Sequence, residues 1–341
     1  MLSKLFFTLA SIASLASFAQ AADVPSSLLI FPEYDSSPGV FTVISVANTK
    51  NGPQGLPTSP AIRAHFIYID GATCQETDRF EPLTPNDLVT VIAGYHNSAS
   101  ARGFLYVYAV DAASGAAIKW DWLIGSAMQL NGITTYNYSY NPIGLKAGTF
   151  ATADGGPTDQ DGDGTRDLNG VEYEKTWNEI LVPHFFGQGN GRRSDLVLIN
   201  LSGRFEFLAT ANFLVYDDYE NLYSTQYQFR CWVKVPLSKT PPEGNAVTGI
   251  DNLFNNSFLA ANGGQGALQG APGVETGWMR IRGSTASSSA TQISNPSILA
   301  VLDETIGTYG MSDIPYLVDQ TNIKGDLLAP AGPIGDTTQT P

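Results

Sequence analysis

The chain has 341 residues, a formal net charge of -14 and an isoelectric point near 4.5. A surface of that sign repels phosphate backbones, which excludes nucleic acid as the expected partner. Hydrophobic residues make up 43% of the chain, enough for a sizeable core, and the 34 glycines and 20 prolines suit many short strands and turns rather than long helices.

At the N-terminus, Lys4 precedes an apolar run from Leu5 to Phe18, and Ala19-Gln20-Ala21 has the small-x-small form of a cleavage site. The pattern predicts a secretory signal over residues 1–21, removed before Ala22. The run is too short and too rich in alanine and serine to span a bilayer comfortably, and no second span follows. The mature chain is therefore expected to lack a transmembrane segment and to be secreted: extracellular, periplasmic or at the cell surface. Export permits a disulfide between the two cysteines, Cys74 and Cys231, but the sequence leaves their pairing open.

Strand signals follow. Leu28 to Tyr34 and Val40 to Asn48 are rich in apolar and β-branched residues and flank a turn at Ser36-Ser37-Pro38-Gly39. Residues 50–60 carry glycine and three prolines and read as a loop. Ile62 to Ile69 alternates, with Ile62, Ala64, Phe66 and Tyr68 on one face. Leu88 to Ala93 reads as a short buried run, and Gly103 to Val110, Ala117 to Ile124 and Ile133 to Tyr140 as further strands. Trp120 and Trp122, at strand spacing, are expected on one face, as core or as a sugar-stacking pair.

Next comes Asp159-Gln160-Asp161-Gly162-Asp163-Gly164-Thr165-Arg166-Asp167-Leu168-Asn169-Gly170-Val171-Glu172. Alternating carboxylates in a turning loop aim oxygens at one centre, as Ca²⁺ requires with roughly 6–8 oxygen ligands at about 2.3–2.6 Å. The stretch resembles the calcium loop of EF-hands and the aspartate-rich loops of dockerins and thrombospondin type 3 repeats. That resemblance covers these residues alone and implies nothing about the rest of the fold. Two registers remain open. Counting from Asp161, positions 1, 3, 5, 7, 9 and 12 fall on Asp161, Asp163, Thr165, Asp167, Asn169 and Glu172, but Arg166 stands where the family has glycine. Counting from Asp159, the ligands are Asp159, Asp161, Asp163, the Thr165 carbonyl and Asp167. Gly164 then falls on the turn, and Gly170 replaces the closing acid. The candidate metal ligands are thus Asp159, Asp161, Asp163, Thr165, Asp167, Asn169 and Glu172. Val171 to Leu181 offers room for a short helix, although its apolar residues make no clean stripe.

Beyond the loop, earlier blocks return in order. Ile180-Leu181-Val182-Pro183-His184-Phe185 echoes Leu29-Ile30-Phe31-Pro32-Glu33-Tyr34. Leu196 to Asn200 echoes the run ending at Asn48, Ala209 to Asp217 echoes Arg63 to Asp70, and Gly277 to Ile281 echoes Gly103 to Val107. Ordered self-similarity of this kind predicts a tandem duplication of one all-β unit. The expected fold is mainly β: two related Ig-like β-sandwich domains, residues 22–150 and 178–327, joined by a calcium-binding linker at 151–177. A disordered tail is expected at 328–341.

Signatures of chemistry are sparse. His65, His96 and His184 are scattered, no G-x-S-x-G or G-x-x-x-x-G-K occurs, and neither cysteine has a protease signature. The preferred reading is a calcium-binding exported protein with a structural, adhesive or binding role, without catalysis, whose partner beyond calcium is a surface glycan or a protein. The alternative is a carbohydrate-binding module or a glycan-active enzyme.

Overall fold

A computed structural model describes residues 24–51, 62–132, 137–186, 192–203, 206–217, 220, 222–237, 276–306, 309–313 and 315–327. The expected signal at 1–21 and the tail at 328–341 lie outside these residues. The structure is 62% strand and 2% helical, and every strand pairing among the described residues is antiparallel.

In the first half, β1 (Leu28–Asp35), β3 (Ile62–Asp70), β4 (Glu76–Leu83), β6 (Arg102–Asp111) and β9 (Ile143–Leu145) form a sheet in the order β4-β3-β6-β1-β9. A second sheet, β5-β2-β7-β8, is built from β2 (Val40–Asn48), β5 (Leu88–Ile92), β7 (Leu123–Asn131) and β8 (Asn137–Tyr140). In the second half, β11 (Glu179–Phe186), β13 (Leu208–Asp217), β14 (Leu222–Phe229), β16 (Thr276–Ser287) and β20 (Tyr316–Val318) run in the order β14-β13-β16-β11-β20, with β17 (Gln292–Ser294) beside β16. The last large sheet is β15-β12-β18-β19, from β12 (Arg192–Asn200), β15 (Trp232–Pro236), β18 (Ile298–Ile306) and β19 (Tyr309–Asp313).

Apart from β17, the strand order of the second half repeats that of the first. Local irregularities repeat too. The register of β1 against β6 shifts between Phe31 and Tyr34, around Pro32, and that of β11 against β16 shifts between Val182 and Phe185, around Pro183. Proline has no N–H for the ladder, so a strand tolerates it at a bulge. Opposite each bulge stands a glycine, Gly103 or Gly277, where a Cβ would collide with a backbone carbonyl, of Ile69 or of Tyr216.

Three apolar layers hold the sheets together. Leu29, Phe31, Phe66, Leu105 and Val107 meet Ile44, Val46, Leu123 and Trp120 between the first two sheets. Val182, Phe213, Met279 and Ile281 meet Leu196, Leu198, Ala300 and Leu302 between the last two. The third layer lies between the halves. Leu28, Ile30, Ile67 and Tyr106 from the β1 sheet pack with Val197, Ile199, Trp232, Leu299 and Val301 from the β12 sheet. The four sheets are therefore stacked, and the two central ones are covered on both faces. Successive strand residues point to opposite faces, so all eight residues of β1 are buried. A doubly covered strand reads as an unbroken apolar run rather than an alternation.

Several expectations are corrected. Val171 to Leu181 is not a helix: it holds bends and bridges and then enters β11, in keeping with its lack of an apolar stripe. Trp120 and Trp122 do not share a face. They sit at a turn before β7, where strand alternation does not apply; Trp120 is buried and Trp122 is 37% exposed. Leu88 to Ala93 is not a buried run, because β5 is an edge strand with Leu88 and Ile92 facing outward. The open question of the cysteines is resolved: Cys74 and Cys231 are bridged, with Cα atoms 5.7 Å apart and 157 residues between them in sequence. The bridge ties the β3–β4 turn of the first half to the start of β15 in the second.

Phe66 and Phe213 occupy matching core positions and are essentially inaccessible. Phe66→Ala and Phe213→Ala should each lower stability by about 3–5 kcal/mol in denaturant titrations. A Cys74→Ala/Cys231→Ala double variant should lose about 4–5 kcal/mol, because its bridge closes so long a loop, and the loss should appear as a lower denaturation midpoint than that of the oxidised parent.

Candidate functional site

The aspartate-rich loop runs along the side of the middle layer. Its exit strand, β10 (Arg166–Leu168), pairs with β21 (Gly325–Leu327). Leu168, Tyr173, Trp177 and Leu327 all belong to the apolar layer between the halves. The segment that carries the loop is thus a wall of that layer. Arg166 anchors it: the side chain is buried, donates to the Gly164 carbonyl at 2.7 Å and lies over the Tyr108 ring at 5.1 Å.

Carboxylate oxygens of Asp159, Asp161 and Glu172 lie within 4.8 Å of one another. The turn is shaped by Gly162 and Gly164, at φ +76° and +84°, a region L side chains rarely adopt. Backbone N–H groups point at the acids. Gly162 N donates to Asp159 Oδ1 at 2.7 Å, Asp163 N to Asp161 Oδ1 at 3.2 Å, and Asp167 N to Glu172 Oε2 at 3.1 Å. Other candidate ligands are placed differently. Asp163 accepts from both the N–H and the hydroxyl of Thr165, each at 2.8 Å. Asn169 donates to Asp167 Oδ2 at 3.0 Å and caps the Val171 N–H with its own oxygen at 2.7 Å. Neither Asp163 nor Asp167 belongs to the triangle of acids.

The donors are all oxygens, the set a hard cation takes. The electrostatics run the same way. Burial, with Asp326, Asp161, Asp163 and Asp159 nearby, pushes Asp167 up to about 6. Burial also raises Glu172. Hydrogen bonds from Thr165 hold Asp163 below its ordinary value. Opposing cations are few here; the guanidinium of Arg166 is 3.9 Å from Asp159.

Each histidine has a structural partner. His65 stacks on Phe80 with ring centres 3.9 Å apart and meets Asp78 at 3.0 Å. His96 contacts Tyr68 at 2.9 Å and Glu81 at 3.2 Å, and His184 meets Glu304 at 2.6 Å. Burial holds both His65 and His96 below the ordinary imidazole range. A cleft of about 530 Å³ opens beside Glu179, which pairs with Arg280 and Arg282, and among the described residues no aromatic side chain lines it. Sequence reasoning missed a buried group made of Glu33, Lys234 and Asp303. Its members come from three strands far apart in the chain and form no local motif.

No protein-family model matches this chain, and no curated protein or solved structure matches it.

The central sheets also bury Glu76, whose Oε2 has no hydrogen-bond partner among the described residues. Burial, then the nearby Asp78, pushes its carboxyl up to about 8. A carboxyl raised in the folded state favours folding while protonated, so its contribution is intact below about pH 4.5 and is lost as pH rises through 8. Glu76→Gln should therefore be more stable than the parent at pH 9, by on the order of a few kcal/mol, and lose that advantage as pH falls toward 4.5. Denaturant melts across pH check this.

Proposed function

We propose that residues 159–172 bind Ca²⁺ in the register that begins at Asp159, and that calcium stiffens the wall of the layer joining the two halves. The observation that carries this is the convergence of Asp159, Asp161 and Glu172 around a turn with Gly164 at positive φ. Gly164 stands at the sixth position of that register, where the sharp turn falls. In the competing register Arg166 would stand there, but its backbone already belongs to β10 and its side chain to the Tyr108 contact. Asp159 and Asp161 would serve as ligands, with Asp163, the Thr165 carbonyl and Asp167 completing the set. Glu172 would supply the acid that Gly170 lacks.

The wider reading is an exported, non-catalytic protein with a structural, adhesive or binding role, made by duplication of one β-sandwich unit. The repeated strand order, the paired proline bulges and the echoing sequence blocks support the duplication. The signal-like N-terminus and the disulfide support export. No helix among the described residues is long and apolar enough to cross a membrane. The alternative, a glycan-binding module, draws on the Tyr216–Trp278 stack, whose ring centres are 4.2 Å apart on a partly exposed face. Trp278→Ala would then abolish glycan binding and leave calcium binding intact.

Adding calcium to chelator-treated protein should raise the melting temperature and suppress proteolysis between Gly155 and Arg166. A hundredfold excess over Kd stabilises by about 2.7 kcal/mol, with Kd expected at roughly 10⁻⁴–10⁻³ M. Asp161→Ala and Glu172→Ala should abolish both effects. Asp159→Ala should abolish them only in the proposed register. Calorimetry without heat at millimolar calcium, together with unchanged protease sensitivity, would reduce the loop to a solvated acidic turn.

A further inference from the structure

Within the middle apolar layer lies a polar group made of Glu33, Lys234 and Asp303. Glu33 lies in the β1 bulge of the first half. Lys234 is on β15 opposite Val197, and Asp303 is on β18 opposite Asp195, so they flank β12 on one face with a stagger of two residues. The long lysine side chain crosses β12 to close the gap. Its Nζ is 2.5 Å from Asp303 Oδ2, and 2.8 and 3.1 Å from Glu33 Oε2 and Oε1. Side-chain exposure is 10% for Lys234, 6% for Asp303 and 2% for Glu33. Tyr138 roofs the group: its hydroxyl donates to Glu33 Oε2 at 2.8 Å, and its ring centre is 5.5 Å from Nζ.

We propose that Lys234 and Asp303 condense into an intramolecular amide, with Glu33 as the acid–base catalyst. An amine, a carboxyl and a second carboxylate held in mutual contact, away from water, are the full set of reactants. Contact of this kind turns a bimolecular condensation into a unimolecular one.

Protonation states assign the roles. Lys234, with Arg102 4.0 Å from Glu33, faces three buried acids, Glu33, Asp303 and Asp195. Burial, opposed by Lys234 and aided by Glu33, pushes Asp303 up to about 7, so its neutral acid form is populated. Burial alone would raise Glu33 as well, but Lys234 and Arg102 beside it hold it below the ordinary carboxylate range. Glu33 is therefore the base and Asp303 the electrophile. Against burial, Asp303, Glu33 and Asp195 hold the Lys234 ammonium above its ordinary range, so the uphill step is the transfer of a proton from Lys234 to Glu33, which leaves three neutral groups in a dry site. The freed lone pair on Nζ attacks Cγ of Asp303. Glu33 returns its proton to the departing hydroxyl and takes the second proton from nitrogen. The C–N bond forms, one C–O bond breaks and one water leaves, without redox change or any co-reactant. The product replaces a buried ion group, a poor stabiliser by itself, with an amide beside a neutral carboxyl. The link would fasten β15 to β18 across β12, close to the point where Cys231 is already tied to Cys74.

Mass spectrometry of the purified full chain, reduced and denatured, tests this. The expected mass is one water below that of the sequence from its measured N-terminus. Proteolysis should release a branched peptide joining the Lys234 segment to the Asp303 segment. Glu33→Gln should have its full sequence mass and two linear peptides. Asp303→Asn, which would expel ammonia, should converge on the same product as the parent. Parent protein of full mass with both segments linear would overturn the proposal, whatever the variants do. A branch to any residue other than Asp303 would overturn the assignment, and a cross-linked Glu33→Gln would remove Glu33 from its role.

Discussion

Everything in this fold depends on the apolar layer between its halves. A β-sheet normally hides one face and wets the other, but here the β1 sheet and the β12 sheet hide both. Separating the halves would expose Leu28, Ile30, Tyr106, Val197, Ile199, Trp232 and Val301 to water together. At about 25 cal/mol per Å² of apolar surface, that cost binds the four sheets into one stack. The halves therefore do not hang on a flexible spacer.

The same layer governs its polar residues. Whatever enters it must be bonded, and nearly all of it is. The Trp232 indole donates to the Pro32 carbonyl at 2.9 Å, a carbonyl the bulge turns toward the partner half. Arg166 spends its charge on Gly164 and on a tyrosine face. The disulfide crosses the same boundary. Lys234 and its two acids are the most concentrated polar group there. Their seclusion from water is the condition on which the proposed condensation rests.

The acidic loop is positioned by this layer as well. β10 and Tyr173 fix its exit, β21 pairs beside it, and the acids are gathered where the two halves meet. A cation held there would offset both the burial and the repulsion between acids that raise Asp167. It would also brace the segment that closes the layer's side. Binding there would be coupled to the association of the halves through packing rather than through a hinge.

Local chemistry was legible in the sequence. The alternation of Ile62 to Ile69, the echoing blocks and the spacing of the acids all follow from side-chain periodicity and turn stereochemistry, which act within a few residues. The strand reading failed at Trp120 and Trp122, where a turn interrupts the alternation, and the expectation of burial failed at Leu88 to Ala93, where apolar residues lie on an exposed edge strand. A helix at Val171 to Leu181 lost to pairing and bridging along the layer's rim. Only tertiary structure decided that Cys74 meets Cys231 and that Glu33, Lys234 and Asp303 meet at all. Those groupings arise from stacking one half on the other, and residues some 70 to 200 positions apart in sequence carry no local sign of which sheet will cover them.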